Sequence, residues 1–157
     1  MGHTAYIGLG SNVGEREATL RRALELLNHS GDVVVTDVSS FIETEPVGPP
    51  QDKYINAAAR LETNLSPTQL LALLHEVEQT LGRDRAGEEK WGSRTCDLDI
   101  ELMDDFVIQT DELAIPHPRL HERTFVLIPL AQIAPDAVHP VLGQTMRDLL
   151  ADLQGRP

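Results

Sequence analysis

Gly82-Arg83-Asp84-Arg85-Ala86-Gly87-Glu88-Glu89-Lys90-Trp91-Gly92-Ser93-Arg94-Thr95-Cys96-Asp97-Leu98-Asp99-Ile100-Glu101 has two halves of opposite character. Through Arg94 it is punctuated by glycine and carries Arg83, Arg85, Lys90 and Arg94 together with the single tryptophan, Trp91. From Asp97 to Leu102 polar and apolar residues alternate, the period of a half-buried strand. Such a strand turns Asp97, Asp99 and Glu101 to one face and Leu98, Ile100 and Leu102 to the other. The α-carbons of Asp97 and Asp99 are then roughly 6–7 Å apart. Two carboxylates converging from that distance suit a hard cation, and Mg²⁺ takes one or two carboxylates while water and phosphates complete its shell. A solvated edge-strand face is the ordinary explanation of Asp-x-Asp. The cationic loop running directly into the strand favours a metal–polyphosphate site instead.

Working outward, Ser66-Pro67-Thr68-Gln69 is a helix start, with Ser as N-cap, Pro at the first helical position and Gln at N3. Leu70, Leu73, Leu74, Val77 and Leu81 then share one face, and Gly82 ends the helix. Glu78 lies one turn before that end, facing the Arg83 loop. Nearer the start of the chain, Thr4–Leu9 reads as an apolar strand followed by a glycine-rich turn, Gly8 to Gly14. A helix from about Glu15 to His29 comes next, with Leu20, Ala23, Leu24 and Leu27 on one face. Val33 to Ser40 and Tyr54 to Glu62 are further strand candidates, the latter weakened by Ala57, Ala58 and Ala59. Between them, residues 43–52 are too rich in Pro and Gly for regular structure.

Beyond the central stretch, Asp104-Asp105 is a turn and Phe106–Ile108 a short return strand. His117 stands between Pro116 and Pro118, which restrict its backbone. His117 and His121 lack further Cys or His at ligand spacing, which argues against zinc. Residues 134–140 form a loop, and Thr145 caps a last helix bearing Met146, Leu149, Leu150 and Leu153. These elements alternate in a way that fits an α+β fold.

The motif Arg83-x-Arg85, then Trp91-Gly92-x-Arg94-Thr95-x-Asp97-Leu98-Asp99-Ile100, resembles the signature of the 6-hydroxymethyl-7,8-dihydropterin pyrophosphokinases of folate biosynthesis. The likeness extends from about Tyr6 to about Leu149. It implies a ferredoxin-like core, a central antiparallel sheet with packed helices, as one domain over residues 1–157. It also implies transfer of the diphosphoryl group of ATP to the hydroxymethyl oxygen of the pterin, releasing AMP. By resemblance, Asp97 and Asp99 hold two Mg²⁺ ions. Glu78, Arg83, Arg85, Arg94, His117 and Arg123 bind ATP, with Arg83 and Arg94 catalytic beside the two aspartates. Thr44, Val47, Tyr54, Asn56, Trp91 and Phe125 form the pterin pocket, Tyr54 and Phe125 walling the ring and Asn56 reading its amide edge. Gly10-Ser11-Asn12 resembles an element lining the pterin side. Ser93 and Cys96 depart from the family pattern, which has proline and an aliphatic residue there. The residues alone leave attack at the β or γ phosphorus equally open. Two rivals stand beside this reading: another ATP-using phosphotransferase, and an inactive nucleotide-binding relative.

Composition sets the outer bounds. The chain has 157 residues, 41% hydrophobic and 24% charged, enough for one globular core. A formal charge of −12 argues against nonspecific nucleic-acid binding, so an anionic substrate must be drawn by local cations. One cysteine excludes an intramolecular disulfide. With no apolar run of membrane-spanning length and no signal-peptide pattern, the expectation is a cytoplasmic protein without membrane contact; a monomer is expected, although no residue pattern gives the oligomeric state. Association with other folate enzymes is compatible with it.

Overall fold

The computed structural model describes residues 2–12, 14–44, 53–82 and 96–155. The elements run β1 (His3–Ser11), α1 (Arg16–His29), β2 (Val33–Val38), β3 (Ile42–Thr44), β4 (Tyr54–Thr63), α2 (Pro67–Thr80), β5 (Asp97–Met103), β6 (Ile108–Gln109), β7 (Ala114–Ile115), α3 (Thr124–Ile133) and α4 (Met146–Gln154). The main sheet has the order β2-β4-β1-β5, with β3 also paired to β4, and its pairings are antiparallel. Leaving β3 aside, the path β1-α1-β2-β4-α2-β5 is the ferredoxin-like arrangement of two interleaved β-α-β units.

The sheet is covered on both faces. Ala5, Ile7 and Leu9 of β1, Ala57, Ala59 and Leu61 of β4, and Leu98 and Ile100 of β5 face Leu20, Ala23 and Leu27 of α1 and Leu70, Leu74 and Val77 of α2. Small residues in β4 thus mark a central strand under two helices, which is why three alanines do not break it. The opposite face carries a second cluster, in which Ala58 and Leu102 meet Leu127, Leu130, Met146 and Leu149 of α3 and α4. Ser66 caps α2 as read: its hydroxyl accepts from Gln69 N and the Gln69 side chain accepts from Ser66 N. Thr145 caps α4 by accepting from Asp148 N.

Three expectations are corrected. Gly8 and Gly10 do not form a turn, because β1 continues through Ser11 with strands on both sides. In β5 the pairing shifts by one residue: Ile7 faces Ile100 while Tyr6 faces Leu102, leaving Glu101 extra. This bulge sends Leu102 to the α3 side, away from Leu98 and Ile100. The return strand lies at Ile108–Gln109 rather than 106–108, and it pairs with β7, not β5. In addition, α3 stands at Thr124–Ile133, a segment for which the sequence pattern predicts no element. Its Pro129 cannot donate to the carbonyl one turn back.

His139 organises the turn before α4. Its Nδ1 accepts the backbone N–H groups of Val141 at 3.2 Å and Leu142 at 3.1 Å. Burial first, and the neighbouring His121 second, lower its pKa from 6.5. As pH falls through about 6.5 the unfolded chain therefore takes up a proton that the folded one resists, and stability declines; above that pH nothing changes. Asn at 139 keeps an acceptor but cannot titrate. Urea midpoints at pH 7.5 and 5.5 are expected to differ less in His139→Asn than in the wild type. An equal difference in both proteins would reject this origin.

Candidate active site

The site is built on three strands whose registers put its residues in two rows across one sheet face. In the first row Asn56 of β4, Gly10 of β1 and Asp97 of β5 are direct neighbours. In the second, Ala58, Gly8 and Asp99 are. With strands about 4.8 Å apart, Asn56 and Asp97 are separated by roughly 10 Å. Glycine in the middle strand leaves a trough between them to whose floor β1 contributes no side chain. The trough is tight: a Cβ on Gly10 would lie 3.0 Å from Asn56 Oδ1 and 3.6 Å from Tyr54 Cδ1. One on Gly8 would lie 2.8 Å from Glu101 Oε1.

One wall of the trough is polar and aromatic. Asn56, 8% exposed, donates from Nδ2 to Thr44 Oγ1 at 2.6 Å, because β3 pairs Ile42 with Asn56 and Thr44 with Tyr54. The predicted pair Thr44 and Asn56 is thus joined directly, and Tyr54 lies beside it. Phe125 comes from the first turn of α3, the helix packed over β4. Arg123, which precedes that helix, places its guanidinium 5.5 Å from the Phe125 ring centroid.

The other wall is charged. Asp97 and Asp99 are half-buried on β5, the outermost strand. Two backbone groups of β5 are engaged from outside the sheet: Leu98 N donates to Glu78 Oε2 at 2.8 Å, and Glu101 O accepts from His117 N at 3.0 Å. Glu78 is 1% exposed, so it grips the residue between the two aspartates from below. His117 Nδ1 accepts from Arg119 N at 3.2 Å, which leaves the hydrogen on Nε2 in the neutral ring. Burial foremost, then Arg123 and Arg119, lower the His117 pKa to about 4 against the opposing pull of Asp97. The imidazole is therefore a neutral N–H donor at physiological pH, fit for a phosphate oxygen. Glu101 is held well above the usual carboxylate range by burial, with Asp99 and then Asp97 adding to the shift and Arg123 opposing it. Asp97, Asp99, Glu101, His117 and Arg123 thus act on one another as a single electrostatic group.

The hard oxygen donors of Asp97 and Asp99 fit Mg²⁺. Among the described residues no group of three or more His, Cys, Asp or Glu could cage a metal, so such an ion would need substrate and water to complete its shell. Val47, Arg83, Arg85, Trp91 and Arg94 lie outside the described residues. Sequence reasoning passed over Gly8 and Glu101 as parts of the site, and placed Gly10 on the pterin side only by resemblance. The alternation of Gly8 and Gly10 with Ile7 and Leu9 is the signal that could have found the trough.

The chain matches the family model described as 7,8-dihydro-6-hydroxymethylpterin-pyrophosphokinase (HPPK) over residues 6–135. It is 50% identical over 134 residues to the 2-amino-4-hydroxy-6-hydroxymethyldihydropteridine pyrophosphokinase of Bacillus subtilis, covering 85% of this chain and 79% of that one. The enzyme of that name from Haemophilus influenzae is 44% identical, with 87% and 85% covered. It is also 40% identical to the bifunctional protein FolKE of Lactococcus lactis, covering 83% of this chain and 37% of that protein. A crystal structure of an HPPK-DHPS in complex with substrates superposes with TM-score 0.74 at 12% identity, over 96% of this chain and 43% of that one. A wild-type Plasmodium falciparum HPPK-DHPS gives 0.75 at 14% identity, over 96% and 44%. The chain spans less than half the length of those two, and the likeness to them is one of fold. No helix among the described residues is long and apolar enough to cross a membrane.

Proposed function

Because the chain belongs to the 7,8-dihydro-6-hydroxymethylpterin-pyrophosphokinase family, we propose that the trough over Gly8 and Gly10 holds the pterin against Asn56 and ATP against Asp97 and Asp99. The protein is a pyrophosphokinase of folate biosynthesis acting on hydroxymethyldihydropterin, with ATP as co-substrate. The observation that carries the site assignment is the register that puts Asn56, Gly10 and Asp97 in one row.

Asn56, fixed by Thr44, reads the amide edge of the pterin, and Val47 adds a backbone contact. Tyr54 and Phe125 enclose the ring with Trp91. Asp97 and Asp99 would hold two Mg²⁺ ions, which would offset phosphate charge and make the attacking hydroxyl more acidic. His117 donates from Nε2 to the triphosphate, and Arg123, Arg83, Arg85 and Arg94 supply fixed positive charge where negative charge develops. Glu78 serves the nucleotide side by holding Leu98, and with it the spacing of the aspartates. The pterin hydroxyl oxygen bonds to the β phosphorus as the bond from that phosphorus to the α–β bridging oxygen breaks; the hydroxyl proton passes to solvent, and AMP leaves with the bridging oxygen. No side chain is needed as a dedicated base, since positioning and electrostatics carry phosphoryl transfer.

Chromatography of a reaction with ATP, Mg²⁺ and the dihydropterin tests this reading. AMP and a diphosphorylated pterin are expected in equal amounts. ADP accumulating with a monophosphorylated pterin would mean attack at the γ phosphorus. A cytoplasmic monomer belongs to the same reading. Association with neighbouring folate enzymes is supported by relatives named as bifunctional or fused proteins, FolKE and HPPK-DHPS.

A further inference from the structure

Glu101 is the residue that the pleat of β5 does not require, and the trough contains its carboxyl. It is 2% exposed. Its Oε1 lies over Gly8, the direct neighbour of Asp99, so the carboxyl occupies the floor next to the second aspartate. Its Oε2 is buried and has no hydrogen-bond partner among the described residues. A buried polar atom left in that condition costs stability, and a methionine or leucine would fill the same space without that cost.

We propose that Glu101 is a positioning residue for the cation site, its Oε2 accepting a hydrogen bond from water carried by the cation that Asp97 and Asp99 hold. The inference rests on the metal assignment of the preceding subsection. A carboxyl offers an acceptor oxygen whether or not it carries a proton, so the role does not depend on its charge. The bulge is what makes the placement possible. It keeps Glu101 on the aspartate face while Leu102 also turns to that side and seals the floor against α3. Partners one layer behind the metal ligands typically change metal affinity 10- to 100-fold.

Mn²⁺ binding, followed by electron paramagnetic resonance with a non-hydrolysable ATP analogue present, tests it without turnover. Glu101→Met is expected to weaken Mn²⁺ about tenfold and to raise the melting temperature of the metal-free protein. Glu101→Gln, which keeps an acceptor oxygen, is expected to stay within about threefold of wild type. Wild-type affinity in Glu101→Met overturns the proposal, as does a Gln variant as weak as the Met one. Failure of Glu101→Met to fold also overturns it, because the carboxyl would then be serving the fold. Asp97→Asn separates the two levels. If it binds Mn²⁺ as wild type does, or wild type binds none, the metal assignment itself falls. If it abolishes binding while Glu101→Met does not weaken it, only the role of Glu101 falls.

Discussion

Asp97→Ala and Asp99→Ala are each expected to lower kcat on the order of 10³-fold while leaving the melting temperature nearly unchanged. The two side chains are on the trough face of β5, whereas Leu98 and Ile100 of the same strand anchor it in the core under α1 and α2. Truncating an aspartate therefore removes nothing from that core. It also removes a like charge: Asp99 and Asp97 both disfavour ionisation of Glu101, so the metal-free variants should be as stable as wild type or slightly more so. Steady-state kinetics at saturating Mg²⁺ and thermal melts by circular dichroism check both halves. Near-normal turnover by either variant would remove that residue from the metal site.

Asn56→Ala is expected to weaken pterin binding on the order of 10²-fold and to leave binding of an ATP analogue unchanged. The amide is nearly buried, its Nδ2 end is held by Thr44, and its Oδ1 lies over the bare backbone of Gly10, where a Cβ would crowd it. A ligand edge that matched it would lose a preorganised pair, and alanine offers no substitute. Thr44→Val provides a graded control. It removes the hydroxyl that holds the amide but keeps Asn56, so a loss of several-fold is expected. Calorimetric titration with pterin and, separately, with the ATP analogue gives both numbers. Equal losses for the two ligands would mean that Asn56 maintains the sheet and does not read the pterin.

What was legible in the sequence depended on how local each signal was. The capping box at Ser66 and the apolar stripe of α2 are written in adjacent residues, and α2 stands where they place it. Asp97 and Asp99 share a face because alternation alone decides it. The bulge at Glu101 is different: it is visible only against β1, where Tyr6 and Ile7 skip a residue, and no pattern within β5 announces it. Helix α3 was hidden for another reason. Phe125 to Leu130 is apolar at every position, so the period that marks a surface helix is missing, and Pro129 argues against a helix that packing nonetheless maintains. Within the site, the partnership of Thr44 with Asn56 follows from pairing between β3 and β4, twelve residues apart. The resemblance named both residues without the bond between them. Val47 and the arginine loop were equally plain in the sequence, and they lie outside the described residues.

The bulge in β5 also bears on how lineages of such a chain can differ in length. Pleating assigns faces by parity, so most single-residue deletions in a strand invert everything downstream of them. Position 101 is exempt. Without it, Leu102 would follow Ile100 directly and still stand opposite Tyr6, and Met103 opposite Ala5, as they do now. Residue 101 thus behaves as an insertion that the register with β1 does not feel, its backbone tied elsewhere through the carbonyl that accepts from His117 N; a strand beside a reacting centre can gain or lose a functional group there without reframing its own core.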